Sequence, residues 1–262
     1  MPSDYFNEGV EYSRNGENHK AIESFLYIIE NHPKSVLYPK SFYNLGLAYY
    51  ENEEFGKAKS IFNGILTSNF NEEEPVGGSI MLDPYANFKH RSSNILHQIY
   101  YDQGDYDSSL YYLSLSDTAY PYLHFCGNAY ASNAIYFSLR YAHLYEMIGD
   151  LKSAKEALLE SVFEDLADNT KVLETLKRLY LLEKGSETLI NELDQSLQSI
   201  YMKEEVHYER NYKVYYFDLQ GIPIRIPFRF YGQDGFDNDK TIGMIKKTAF
   251  YKMVEGLGNA DD

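Results

Sequence analysis

The segment GQDGFDND, residues 232–239, gathers Asp234, Asp237 and Asp239, and carboxylates at that density are what a calcium loop is made from. Such a loop needs oxygen ligands at alternate positions and a bidentate glutamate to close it. Lys246 and Lys247 stand where that glutamate would fall, so the segment reads as a solvated turn. The 7 histidines are scattered, with no pair one helical turn apart beside a glutamate, the arrangement that holds zinc on a helix. His97 and His143 fall in helical patterns, where packing or solvent is the expected surrounding. Gly77 and Gly78 follow the acidic run Glu72, Glu73 and Glu74 and lack the lysine and hydroxyl of a phosphate-cradling loop. No serine sits in the glycine-flanked elbow of a hydrolase. The single cysteine, Cys126, excludes an intramolecular disulfide and any site built on several thiolates. No catalytic, cofactor-binding or metal-ligating residue is therefore assigned. An enzyme with its active site dispersed along the chain leaves no local signature and stands as the alternative of a different class.

What the composition does favour is a folded core made largely of rings. Of 262 residues 44% are hydrophobic, and 27 tyrosines and 15 phenylalanines accompany no tryptophan. The 24 Lys+Arg against 39 Asp+Glu leave a formal charge of -15, a field that repels phosphate backbones and anionic lipid. Nucleic acid and membrane are thereby disfavoured as partners. The same charge suits an acidic neutralising or regulatory protein of the immunity type covering a basic partner, a second functional reading with salt-sensitive association. The N-terminus, MPSDYFNEGVEYSRNGENHK, lacks the apolar run of a secretory signal, and no segment approaches the ~20 apolar residues of a membrane span, so a cytoplasmic chain is expected.

The elements that would position any binding residue are helices. In YNLGLAYYENEEFGKAKSIF, residues 43–62, Leu45, Gly46 and Tyr49 fall at helical spacing, then Phe55, Ala58, Phe62 and, just beyond, Ile65 do so again, with a polar turn between. Glycine inside a helix costs about 1 kcal/mol unless another helix packs closely on it, and Ala58 is the small residue expected opposite Gly46. Upstream, Gly9, Tyr12, Ala21, Phe25 and Pro33 repeat the spacing, led by Tyr5 as Phe42 leads the second copy. A weaker copy carries Leu96, Tyr100, Gly104, Ser109 and Leu113, with His97 where glycine is usual; a fourth carries Ala142, Tyr145, Gly149, Ala154 and Leu158.

This pattern resembles the tetratricopeptide repeat, a helix pair of about 34 residues. Gly9, Gly46, His97 and Ala142 lie 37, 51 and 45 residues apart, so every junction carries an insertion, the longest at residues 70–84 and another near 120–127, before a long helix over 128–148. A terminal pair is expected at about 170–184 and 187–205, with Leu189, Ile190, Leu193, Leu197 and Ile200 as its stripe. The resemblance implies a mostly α fold, an α-solenoid of four to five helix pairs over residues 1–205. It also implies a non-catalytic module binding a peptide or partner helix in its concave groove. Carried over by position, the groove residues are Phe6, Val10 and Arg14; Lys40, Tyr43, Leu47 and Tyr50; Arg91, Asn94, Gln98 and Tyr101; and Tyr136, Leu139 and His143. One subgroup grips a terminal carboxylate with a lysine and two asparagines from its first two repeats and basic residues from its third. Phe6 and Val10 replace the first two of these, only Asn44 and Arg91 match, and that clamp is rejected.

Past residue 205 the period changes. KVYYFDL, residues 213–219, and IPIRIPFRF, residues 222–230, predict a hairpin with Ile222, Ile224, Ile226, Phe228 and Phe230 on one face and Pro223 and Pro227 along one unpairable edge. A final helix over about 240–255 is expected to cover it, making residues 206–262 a cap on the solenoid, with a second partner-binding surface as the alternative.

Overall fold

The computed structural model describes residues 1–76, 83–182, 188–207, 210–232 and 236–258. Among these the chain is mostly helical, with 12 α-helices and one three-stranded antiparallel sheet. The chain folds as two compact units, Met1–Cys126 and Gly127–Asp262.

The first unit is built from α1 (Pro2–Arg14), α2 (Asn18–Asn31), α3 (Tyr38–Glu51), α4 (Phe55–Leu66), α5 (Phe88–Asp102) and α6 (Tyr106–Ser114), each packed on the next. The residue that ends each first helix is in the left-handed region: Gly16 at φ 73°, Glu53 at 59° and Gly104 at 75°. The following amide turns back to a tyrosine carbonyl four residues before that one, Glu17 to Tyr12 at 2.8 Å, Glu54 to Tyr49 at 2.9 Å and Asp105 to Tyr100 at 2.9 Å. These Schellman closures satisfy the carbonyls a helix end leaves open and reverse the chain into the second helix of each pair.

Within each pair the contact at the glycine position fixes the approach. A Cβ on Gly9 would stand 2.7 Å from the ring of Phe25, and one on Gly46 2.8 Å from that of Phe62. The residue packed on Gly46 is therefore Phe62, one turn beyond the expected Ala58, because a flat ring reaches the bare backbone that an alanine would leave as a void. In the third pair the volumes are exchanged. His97 fills the glycine position, bonded through Nδ1 to Ser109 Oγ at 2.8 Å, and Leu113 replaces the ring. α6 runs into one π-helical turn, Leu115–Ala119.

The second unit opens with α7 (Gly127–Met147) and α8 (Leu151–Leu159), joined by the same closure: Gly149 at φ 82° and the Asp150 amide on the Tyr145 carbonyl at 2.8 Å. α9 (Thr170–Leu181) and α10 (Leu189–Leu197) follow; the expected ends at 184 and 187 lie outside the described residues. The helix expected to reach residue 205 stops at Leu197, and Tyr201–His207 is instead β1. The apolar stripe ends at Ile200, and YMKEEVH is held by pairing in register with β2 (Arg210–Leu219), from Tyr201 opposite Tyr216 to His207 opposite Arg210. The sheet is thus not a two-stranded hairpin but three strands in the order β1-β2-β3, with β3 at Ile222–Ile226.

Gln220 and Gly221, at φ 52° and 73°, make the tight turn between β2 and β3, whose twist suits adjacent strands. Gln220 also accepts a bond from the buried Lys155 of α8 at 2.9 Å. Ile222, Ile224 and Ile226 are buried as expected, but the strand ends at Pro227. A 3-10 turn over Phe228–Phe230 leaves Phe228 59% exposed while Phe230 stays in the core. The expected last helix is two, α11 (Asn238–Ile245) and α12 (Ala249–Leu257), because Thr248 caps the second by accepting the Tyr251 amide at 3.2 Å. Phe217, Phe250, Leu193 and Leu176 meet in one core shared by the sheet and α7 to α12.

Candidate peptide-binding groove

The first helices of the first unit, α1, α3 and α5, carry two neighbouring hollows. One, of about 300 Å³, is lined by Phe6, Lys40, Tyr43, Asn44, Val76, Ala86, Phe88 and Arg91. The other, of about 330 Å³, holds Val10, Arg14, Leu47 and Glu51 among its lining, and Asn44 belongs to both. Seven residues expected in a groove are therefore gathered there: Phe6, Lys40, Tyr43 and Arg91 in the first hollow, Val10, Arg14 and Leu47 in the second. The helical repeat explains the grouping, since residues three and four apart on α3 share the face opposite Leu45 and Tyr49, which are buried.

Several of these side chains also serve the scaffold. The half-buried ring of Tyr43 meets Phe62 and Phe88 edge-on or tilted, with centroids 5.9 and 6.0 Å away. Burial pushes its hydroxyl pKa up, with the Arg91 charge pulling the other way. Tyr50 leans on Phe55 at 5.9 Å, outside both hollows. Asn94 is tied to His90 Nε2 at 3.1 Å and to Ser116 Oγ at 3.3 Å, Gln98 donates to Asp102 at 2.8 Å, and Tyr101 lies against Tyr106 at 5.8 Å. In the second unit, Tyr136 carries Arg140 over its ring at 5.3 Å, Leu139 packs on the core and His143 is exposed.

The largest addition to the sequence reading is the inserted segment before α5. Its two arms are joined by a bridge between Pro75 and Tyr85, with the Ala86 amide on the Glu74 carbonyl at 2.9 Å. Phe70 is wedged against Tyr38, Phe42 and Phe88 at 6.1, 6.1 and 5.7 Å. Glu72 accepts the Lys89 amide at 3.0 Å, serving the open N-terminus of α5, and burial raises its pKa. The Lys40 ammonium lies 3.0 Å from Glu74, and the Arg91 guanidinium 2.5 Å from Asp83. The run Glu72 to Glu74 was the available signal for this, but nothing local in the sequence pairs it with Lys40. Gly77 and Gly78 lie outside the described residues.

The second unit has its own hollow of about 350 Å³, lined by Glu164, Asp165, Asp168, Arg229 and Phe230 among others. Arg229 is bound to Asp165 at 3.0 Å and donates to the Phe163 carbonyl. In the aspartate-rich segment, Asp237 caps α11 through the Lys240 amide at 2.8 Å and Asp239 sits in its first turn, while Asp234 lies outside the described residues. Among the described residues, no group of three or more His, Cys, Asp or Glu side chains is placed to hold a metal, and no helix is long and apolar enough to cross a membrane.

Stacked helix pairs with closed turns and a residue-lined face on their first helices define a helical-repeat protein. Residues 39–72, which take in nearly all of α3 and the whole of α4, match the tetratricopeptide repeat family, so this helix pair is a tetratricopeptide repeat. No curated protein matches it in sequence.

Proposed function

We propose that the chain is a non-catalytic interaction module that binds an extended segment of another protein along α1, α3 and α5. Tetratricopeptide repeats generally mediate protein–protein interaction, which supports the class. The observation that carries the finer reading is the pair of adjoining hollows, where rings of Phe6, Tyr43 and Phe88 stand beside the cations Lys40, Arg91 and Arg14. Rings supply contact area at small entropic cost and guanidinium supplies directed donors, the combination that dominates binding hot spots. The appended sheet with α11 and α12 closes the end of the repeat core as a cap.

The test is affinity capture from the native cell with mass spectrometry, using the full chain and an Asn44→Ala/Leu47→Glu variant. Partners held in the groove fall at least tenfold in recovery with the variant. Equal recovery at an unchanged Tm removes the groove reading. The charge of -15 supports the second reading, a cover for a basic partner. That reading requires association that slows steeply with added salt.

A further inference from the structure

The two cations of the first hollow are already engaged by carboxylates of the same chain. Lys40 holds Glu74 at 3.0 Å and also reaches the Pro75 carbonyl at 3.4 Å; Arg91 holds Asp83, which Tyr122 also contacts through its hydroxyl. Glu74 and Asp83 come from opposite arms of the inserted segment, and those arms supply Val76 and Ala86 to the hollow's wall. We propose that Glu74 and Asp83 are an internal competitor, occupying on Lys40 and Arg91 the place that a carboxylate-bearing segment of the partner takes. This rests on the groove reading above and adds to it both the chemistry of the ligand and a control on its affinity.

The energetics divide the insertion into an anchor and an exchangeable part. Its base is held by the Phe70 ring cluster, by Glu72 on the start of α5 and by the Asn87 amide on the Glu72 carbonyl at 3.1 Å. The two ion pairs at the hollow are partly exposed, with side chains 27% and 24% accessible for Lys40 and Glu74, and 33% and 40% for Arg91 and Asp83. Pairs in contact with water contribute little net free energy, on the order of 0–1 kcal/mol each, because water and the pair compete for the same charges. Exchanging one carboxylate for another there costs little and leaves the base intact. The guanidinium of Arg91 donates to Asp83 through Nη2, and its planar set of donors suits an incoming carboxylate at the same place. Phe6, Tyr43 and Phe88 around it take an aromatic neighbour of that acid. The ligand class is an acidic and aromatic segment, read by side-chain carboxylates and not by a terminal clamp, whose lysine position is Phe6 here.

The probe is a fluorescein-labelled peptide of alternating glutamate and phenylalanine, titrated by anisotropy into the full native chain and into Glu74→Gln/Asp83→Asn. Removing the internal carboxylates tightens binding at least fivefold, and adding Lys40→Gln/Arg91→Gln to that variant abolishes the gain. Equal affinity of the first two proteins, including no binding by either, overturns the proposal. Hydrogen exchange on the native chain serves if a variant fails to fold. Saturating peptide speeds exchange at the Val76 and Ala86 amides, and unchanged exchange overturns the proposal. Loss of native partners in Asn44→Ala/Leu47→Glu remains a separate readout, so the groove reading survives a failure here.

Discussion

The two units solve the same packing problem with interactions of different reach. In Met1–Cys126 each helix packs on its neighbour in sequence, and three turns of one geometry set the spacing. In Gly127–Asp262 one such pair is followed by a sheet and two short helices, and α12 packs on α9 and α10 across long stretches of chain. Local packing leaves the first unit with a face of hollows along its first helices. Non-local packing gives the second a single mixed core, and its hollow is acidic with its arginine paired within the chain. A repeating unit exposes a surface because it needs only its neighbours; a closed core consumes its apolar face.

The largest effects test whether the units are separate cores. Phe62→Ala and Phe217→Ala each delete a ring with no exposed surface and cost about 3–5 kcal/mol. Hydrogen exchange is expected to lose protection in the mutated unit alone, and equal loss in both would erase the contrast. Next comes Gly46→Ala, whose methyl would meet the Phe62 ring at 2.8 Å and costs roughly 1–3 kcal/mol. Phe62→Leu in the same chain recovers part of it, since the second unit pairs Ala142 with Leu158 at the equivalent positions, both fully buried. A double-mutant cycle by chemical denaturation reads the coupling.

Smaller is the gain at Glu53, the one Schellman position not occupied by glycine, at φ 59°. A side chain in that region costs roughly 1 kcal/mol, so Glu53→Gly raises stability by about that amount. The last effect depends on pH. His90 Nδ1 lies 2.9 Å from the Ser116 carbonyl and 3.0 Å from that of Tyr120, which makes it the protonated nitrogen of a neutral ring. Burial lowers its pKa below the usual histidine range. The unfolded chain takes a proton near pH ~6.5 that the folded one refuses, so this stability is full above that pH and is lost as pH falls toward the folded value. Tm measured between about pH 7 and pH 5 is expected to slope less in His90→Asn than in the native chain.

The helix pairs were legible because their signal is local. Gly46, Tyr49 and Phe62 lie within two helices and their turn, and the tyrosines proved to be the residues whose carbonyls close the turns. β1 was not legible, since Tyr201 gains its conformation from Tyr216 across a hairpin and carries no apolar alternation of its own. The alternation of IPIRIPFRF runs past Pro227, and only the 3-10 turn reveals that Phe228 leaves the face. For the two hollows, position along α1 and α3 gave part of the lining, whereas the attachment of Glu74 and Asp83 to Lys40 and Arg91 depends on the path of an irregular loop.

Asn44 has one further consequence. It lines both hollows, the one described residue common to the two linings. Any coupling between occupants of the two hollows is reciprocal: the factor by which filling the first alters affinity in the second must equal the reverse. A single uncharged side chain is thus the shared wall through which such a coupling would have to pass.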